Sequence, residues 1–174
     1  MLSKHKTYYD YISRGYGELY NEEQSKKLRI INENLKTDFI LDVGCGCGLS
    51  KNVFSCKIIG IDLSFNLLKK ADFPRILAAA ENLPFKAKSF ENIICVTAIH
   101  NFKNYKNALS EIKRVMKKSG AITVLKRSKK CDNIVKEIKR NFNVIKEIDE
   151  EKDRILIIRV LHVSPRGVSK IEDL

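Results

Sequence analysis

The sequence predicts an α/β protein built on a doubly wound, mostly parallel sheet of seven strands, with helices on both faces. Three observations predict it. Short apolar runs alternate with amphipathic stretches along most of the 174 residues, the pattern of parallel strands covered by helices. The first such run, residues 39–43, passes directly into the glycine-rich stretch Gly44-Cys45-Gly46-Cys47-Gly48. The last two β-rich runs, 144–148 and 155–161, are separated only by a short turn at 149–153. That turn has no room for a crossover helix, so the two runs pair as an antiparallel hairpin.

The elements follow in order. Residues 7–20 form an aromatic entry with Tyr8, Tyr9, Tyr11, Tyr16 and Tyr20. Leu28, Ile31 and Leu35 fall at helical spacing within 22–35. Residues 57–61 read as a second strand. Ser64 is placed to cap a helix through Ala71, with Leu67 and Leu68 turned inward. Residues 75–79 and 93–96 give a third and a fourth strand. A helix with Leu109, Ile112, Val115 and Met116 on its apolar side spans 105–118 and stops at Ser119-Gly120. Residues 121–125 are a fifth strand, and Ile134, Ile138 and Phe142 mark a further helix. No linker or repeat interrupts the chain, so residues 1–174 read as one domain, with 1–36 an N-terminal segment and helix and 37–174 the core.

Composition narrows the function classes. No run of apolar residues is long enough for a membrane span, and the first six residues lack the apolar core of a secretory signal. A cytoplasmic location is the expectation. Five cysteines in a chain of this kind do not suggest a disulfide framework, and Cys45-x-Cys47 has no second pair at zinc-like spacing, so no metal is expected. The formal net charge is +12. Residues 101–147 hold 14 Lys and Arg against four acids. This basic stretch suits a polyanionic partner such as RNA. It suits somewhat better a lysine-rich composition on solvated helix faces.

The chemistry centres on the glycine run. Glycine permits a sharp turn and lets a ligand approach the backbone. A helix beginning near Leu49 would offer free amides beside it. Asp62 stands eighteen residues beyond Gly44, at the end of the second strand. In a doubly wound sheet an acid there reaches the hydroxyls of a ribose. The glycine spacing is G-x-G-x-G, unlike the G-x-G-x-x-G of dinucleotide sites.

Leu41-Asp42-Val43-Gly44-Cys45-Gly46-Cys47-Gly48 resembles the first motif of class I S-adenosylmethionine-dependent methyltransferases, and Ile59-Gly60-Ile61-Asp62-Leu63-Ser64 is similar to their second. Glu81-Asn82-Leu83-Pro84-Phe85, followed by Ser89-Phe90-Glu91, resembles a segment of the ubiquinone/menaquinone-biosynthesis-like (methyltransferase type 11) branch. Ala98-Ile99-His100-Asn101-Phe102 and the stretch from Glu111 to Gly120 resemble two later motifs. The likeness covers roughly residues 38–125.

The resemblance implies a Rossmann-like fold and S-adenosylmethionine as cofactor. It implies that Gly44, Cys45 and Gly46 line the methionine and ribose part, that Asp62 binds the ribose hydroxyls and that Leu63 packs on the adenine. Ala80 would offer its backbone N–H to the adenine edge, with Glu81 beside it. Val96 and Thr97 would flank the methionine moiety, and Asp42 would hold the loop or the cofactor's ammonium. Two departures stand out. Ala79 occupies a position where the family commonly has an adenine-binding Asp, and Asn101 replaces a second His.

A sulfonium methyl is already electrophilic, so transfer needs an in-line nucleophile more than acid–base help. His100 is the candidate general base if the acceptor must lose a proton; it also reads, and more readily, as a structural histidine after a strand. Tyr9 and Tyr16 are candidates to fold over the cofactor, or to pack as a clasp. Lys126, Arg127, Lys129 and Lys130 follow the fifth strand and are placed to meet substrate phosphates or carboxylates, or to form a solvated loop. The N-terminal segment and bare core resemble archaeal relatives of the wobble-uridine tRNA methyltransferases, which implies an RNA acceptor and a small activator subunit. A small-molecule methyltransferase and a non-catalytic S-adenosylmethionine-binding module are the alternatives.

Overall fold

The computed structural model describes the backbone of residues 18–161 and the side chains of 21–161. The elements are α1 (Glu18–Asn34), β1 (Phe39–Val43), β2 (Lys57–Asp62), α2 (Phe65–Leu68), β3 (Arg75–Leu77), β4 (Phe90–Cys95), α3 (Tyr105–Val115), β5 (Met116–Leu125), α4 (Cys131–Asn141), β6 (Phe142–Asp149) and β7 (Asp153–Val160). One sheet holds all seven strands in the order β3-β2-β1-β4-β5-β7-β6. β1 to β5 pair in parallel, while β7 runs antiparallel between β5 and β6. The expected doubly wound sheet with a terminal hairpin is therefore the fold.

Side-chain alternation divides the core into two layers. Leu41 and Val43 of β1, Ile93 and Cys95 of β4, and Leu156 and Ile158 of β7 pack with Leu109, Ile112 and Val115 of α3 and Ile134 and Ile138 of α4. On the other face Ile40, Ile94, Ala121, Ile155 and Ile157 meet Leu28, Ile31 and Leu35 of α1, together with Phe54 and Phe73. Central strands covered on both faces have no polar side to show, and so read as unbroken apolar runs.

Three expectations shift. The helix expected after the glycine run is a single 3-10 turn, Leu49–Asn52, so no helix N-terminus stands behind the loop. The Ser64-capped helix is also short: Ser64 Oγ accepts from Leu67 N at 3.4 Å, but the helix ends at Leu68. Helix α3 stops at Val115 rather than 118, and the chain enters β5 at Met116, which pairs with Phe90. Met116 is buried either way, so its apolar character does not mark the boundary.

Among the described residues no helix is long and apolar enough to cross a membrane.

Candidate functional site

The chain runs outward from β1 to β2 and β3, then returns to place β4 on the other side of β1. A crevice opens where the strand order reverses, beyond the carboxyl ends of the parallel strands. It is a cleft of about 1070 Å³.

The glycine loop forms its floor. Gly44 N and Cys45 N donate to the carbonyl of Ile61 at 2.8 and 3.0 Å, folding the loop onto β2. Gly44 sits at φ +78°, and a Cβ there would lie 2.5 Å from Ala98 Cβ. Gly46 is at φ +54°, and a Cβ there would meet only Leu67 Cδ1, at an ordinary contact distance of 3.9 Å. The loop therefore leaves backbone bare where a ligand enters. Asp62, at the end of β2, accepts from Gly46 N at 2.9 Å and from Ser64 N at 2.8 Å. Asp42 is buried beneath the loop and accepts from Ser50 Oγ at 2.7 Å. Burial pushes its carboxyl up to about 7; the Ser50 bond opposes this and the nearby Asp62 charge adds to it. Burial likewise raises the Cys45 thiol far above its ordinary range, which leaves it a small apolar filler and not a nucleophile.

The far wall hangs from α3. Glu111 Oε2 accepts from Leu83 N at 2.8 Å, and Arg114 donates to the carbonyls of Phe85 (2.7 Å) and Leu83 (3.0 Å). The two side chains also pair with each other. They fasten the segment that presents Ala80 and Glu81, and Glu81 Oε1 accepts from Asn104 N at 3.0 Å. The E-x-x-R spacing is legible in the sequence; that it braces this wall is not.

Asp42, Gly44, Cys45, Gly46 and Asp62 line the same cleft as Leu63, Ala80, Glu81, Val96 and Thr97. His100 does not line it. Nδ1 of its ring is buried without a partner among the described residues, Nε2 lies 3.2 Å from Asn101 Nδ2, and burial, opposed by Asp153, lowers its pKa. The ring lies outside the cleft wall. Tyr9 and Tyr16 lie outside the described residues. Gln24, Leu28, Asn101 and Asn107 also line the cleft, and the sequence had not marked them as ligand contacts. Gln24, Asn101 and Asn107 are polar positions that look like any solvated surface, and Leu28 reads as part of the helix's apolar face.

This arrangement fits a nucleoside carrying a charged amino-acid tail. A bare glycine backbone admits it, an acid ends β2, and a buried acid awaits a cation. The Methyltransferase domain family matches residues 41–124, which is the stretch that builds this cleft. The chain belongs to the class I S-adenosylmethionine-dependent methyltransferases. Its similarity to an uncharacterized protein of Methanocaldococcus jannaschii, MJ1252, is 34% identity over 173 residues, covering 86% of this chain and 68% of that protein. The ubiquinone/menaquinone biosynthesis C-methyltransferase UbiE of Campylobacter jejuni is 33% identical over 120 residues, covering 59% of this chain and half of that methyltransferase. A solved complex between the Haloferax volcanii Trm112 methyltransferase activator and a methyltransferase shares the fold, with a TM-score of 0.67 and 12% identity, over 88% of this methyltransferase and 98% of that chain.

The cofactor of this class is S-adenosylmethionine, which supplies an electrophilic methyl group. Asp62 would hold its ribose hydroxyls, the loop of Gly44 to Gly46 its central part, and Ala80 and Glu81 the base. Asp42, once ionised, would balance its ammonium. Among the described residues no cluster of His, Cys, Asp and Glu is grouped to hold a metal ion.

Proposed function

We propose that this methyltransferase acts on RNA. The observation that carries the reading is the loop after β5. That strand lies beside β4 and ends at the same edge as the glycine loop. Lys126 pairs with Asp149 at 2.8 Å. Arg127, Lys129 and Lys130 are exposed and have no carboxylate within ion-pairing distance among the described residues. The charges of Arg127 and Lys130 are felt at His100, just past the cleft wall. Unpaired cations beside a methyl-transfer cleft suit a phosphate backbone, which they position without reading bases.

A small activator subunit is the second part of the proposal. The β3 edge of the sheet is a strand of three exposed residues. Leu63 (52% exposed), Phe65, Ile76 and Leu77 (51%) crowd that end of the sheet. Large exposed apolar residues grouped at a sheet edge mark an interaction surface. The Haloferax volcanii complex supports such an assembly by fold alone.

The test is incubation of the chain, alone and with a Trm112-type activator, with labelled cofactor and host RNA. The proposal expects label in the RNA, and a triple charge reversal of Arg127, Lys129 and Lys130 to weaken RNA binding and flatten its salt dependence. Label only in small molecules would favour the small-molecule reading. Label nowhere would favour a non-catalytic module.

A further inference from the structure

Helix α1 carries a lysine with no contact with solvent. Lys27 is 0% exposed and forms an ion pair with Asp153, also 0% exposed. Its ammonium reaches Glu23 Oε1 at 2.8 Å and Thr97 Oγ1 at 3.3 Å. Asp153 opens β7 opposite Leu125, so the antiparallel strand delivers a carboxylate to the edge where the parallel strands end. Thr123 on β5 donates to Asp153 Oδ1 at 3.3 Å and accepts from Thr97 N at 2.7 Å. Gln24 and Thr97, which face the cleft, stand in front of this group.

Two costly features therefore meet behind one wall. A buried ion pair adds little net stability, because desolvation offsets the attraction. Thr97 is held at φ +52°, a region costing a non-glycine residue about 1–3 kcal/mol. Strain of this kind persists where the surroundings enforce it, and it gathers at binding sites.

Counting donors fixes the direction of the bonds. An ammonium only donates, so the Thr97 hydroxyl accepts from Lys27 and must direct its own proton elsewhere. The Thr123 hydroxyl gives its proton to Asp153, which only accepts. The Thr97 proton goes to Gln24 Oε1, 2.9 Å away. With its carbonyl engaged, Gln24 has its amide nitrogen to offer the cleft. The only cation among the described lining residues is Lys103, beside Asn104 at the Glu81 end. Asp42 lies near Thr97, in register with Ile94 three residues before it. One end of the cleft thus pairs an acid with a neutral donor.

We propose that Lys27 and Asp153 are positioning residues. Through Thr97 they set the Gln24 carboxamide so that its N–H groups donate to the carboxylate of an α-amino-acid group bound beside Asp42. The proposal rests on S-adenosylmethionine being the ligand, since that molecule carries such a group.

Calorimetry with two probes tests it. S-adenosylhomocysteine has the amino-acid tail; 5′-methylthioadenosine lacks it. Gln24→Leu and the double variant Lys27→Met with Asp153→Asn, which leaves no buried charge unpaired, are expected to bind S-adenosylhomocysteine at least about tenfold more weakly. Both are expected to bind 5′-methylthioadenosine as the wild type does. Thr123→Val breaks the same chain of bonds without touching the charges, and should give the same split if the double variant fails to fold. Unchanged S-adenosylhomocysteine affinity in a folded variant would reduce the pair to a staple between α1 and β7 and overturn the proposal. Equal loss for both probes would overturn it as well. Failure of the wild type to bind either probe would sink the cofactor reading, and this proposal with it.

Discussion

Asp62 Oδ2 lies 2.9 Å from the backbone nitrogen of Gly46, so the acid that ends β2 also ties down the glycine loop on β1. One side chain joins the two motifs that the sequence sets sixteen residues apart. Asp62→Asn keeps the shape but gives up charge-assisted bonds, each contributing about 1.5–3 kcal/mol. Calorimetry should find S-adenosylhomocysteine bound roughly 10- to 100-fold more weakly. Wild-type affinity in the variant would remove the ribose role.

Two glycine substitutions separate folding from binding. Gly44→Ala meets both a left-handed backbone and Ala98 Cβ at 2.5 Å, and should fail in thermal melts and in binding alike. Gly46→Ala meets only the backbone penalty, about 1–2 kcal/mol. It should fold with a modestly lower Tm but bind S-adenosylhomocysteine poorly, because a methyl group now occupies the ligand's approach. Equal melting temperatures for the two variants would contradict the geometry.

Asp42 makes the site sensitive to pH. Its folded-state pKa, about 7, lies above the ordinary 3.8. The protonated acid is therefore favoured in the folded chain, and the stability it contributes is present below pH 3.8 and lost as pH rises through about 7. Asp42→Asn keeps an acceptor for Ser50 without the charge. Its Tm relative to wild type should rise from about pH 4 to about pH 7, the interval between the two pKa values, and level off above it. A pH-independent difference would count against a buried, protonated Asp42. Binding of a ligand ammonium should release a proton near pH 7, seen as a dependence of binding heat on buffer ionisation enthalpy.

Much of this site was legible in the chain. The strands of the sheet follow from apolar runs, and the hairpin from a turn too short for a helix. Ten expected contact residues converge on one cleft because motif order tracks the ends of adjacent parallel strands. What escaped has a common cause. Lys27 stands four residues after Glu23, a spacing that normally marks a solvated ion pair on a helix surface. Its buried partner Asp153 comes from β7, far along the chain. Asp153 itself reads as a turn residue. The left-handed backbone of Thr97 leaves no mark, since threonine carries none of glycine's licence for it.

The cationic loop should be separable from the cofactor site. Reversing Arg127, Lys129 and Lys130 is expected to leave S-adenosylhomocysteine affinity unchanged while RNA binding falls, read by calorimetry and filter binding on the same preparations. Loss of both together would place that loop inside the cofactor cleft.

The most direct test of the account is titration of the purified wild-type chain with S-adenosylmethionine in a calorimeter, with Asp62→Asn alongside. The account predicts one molecule bound per chain and a clear loss of affinity in the variant. No detectable binding by the folded wild type would contradict it.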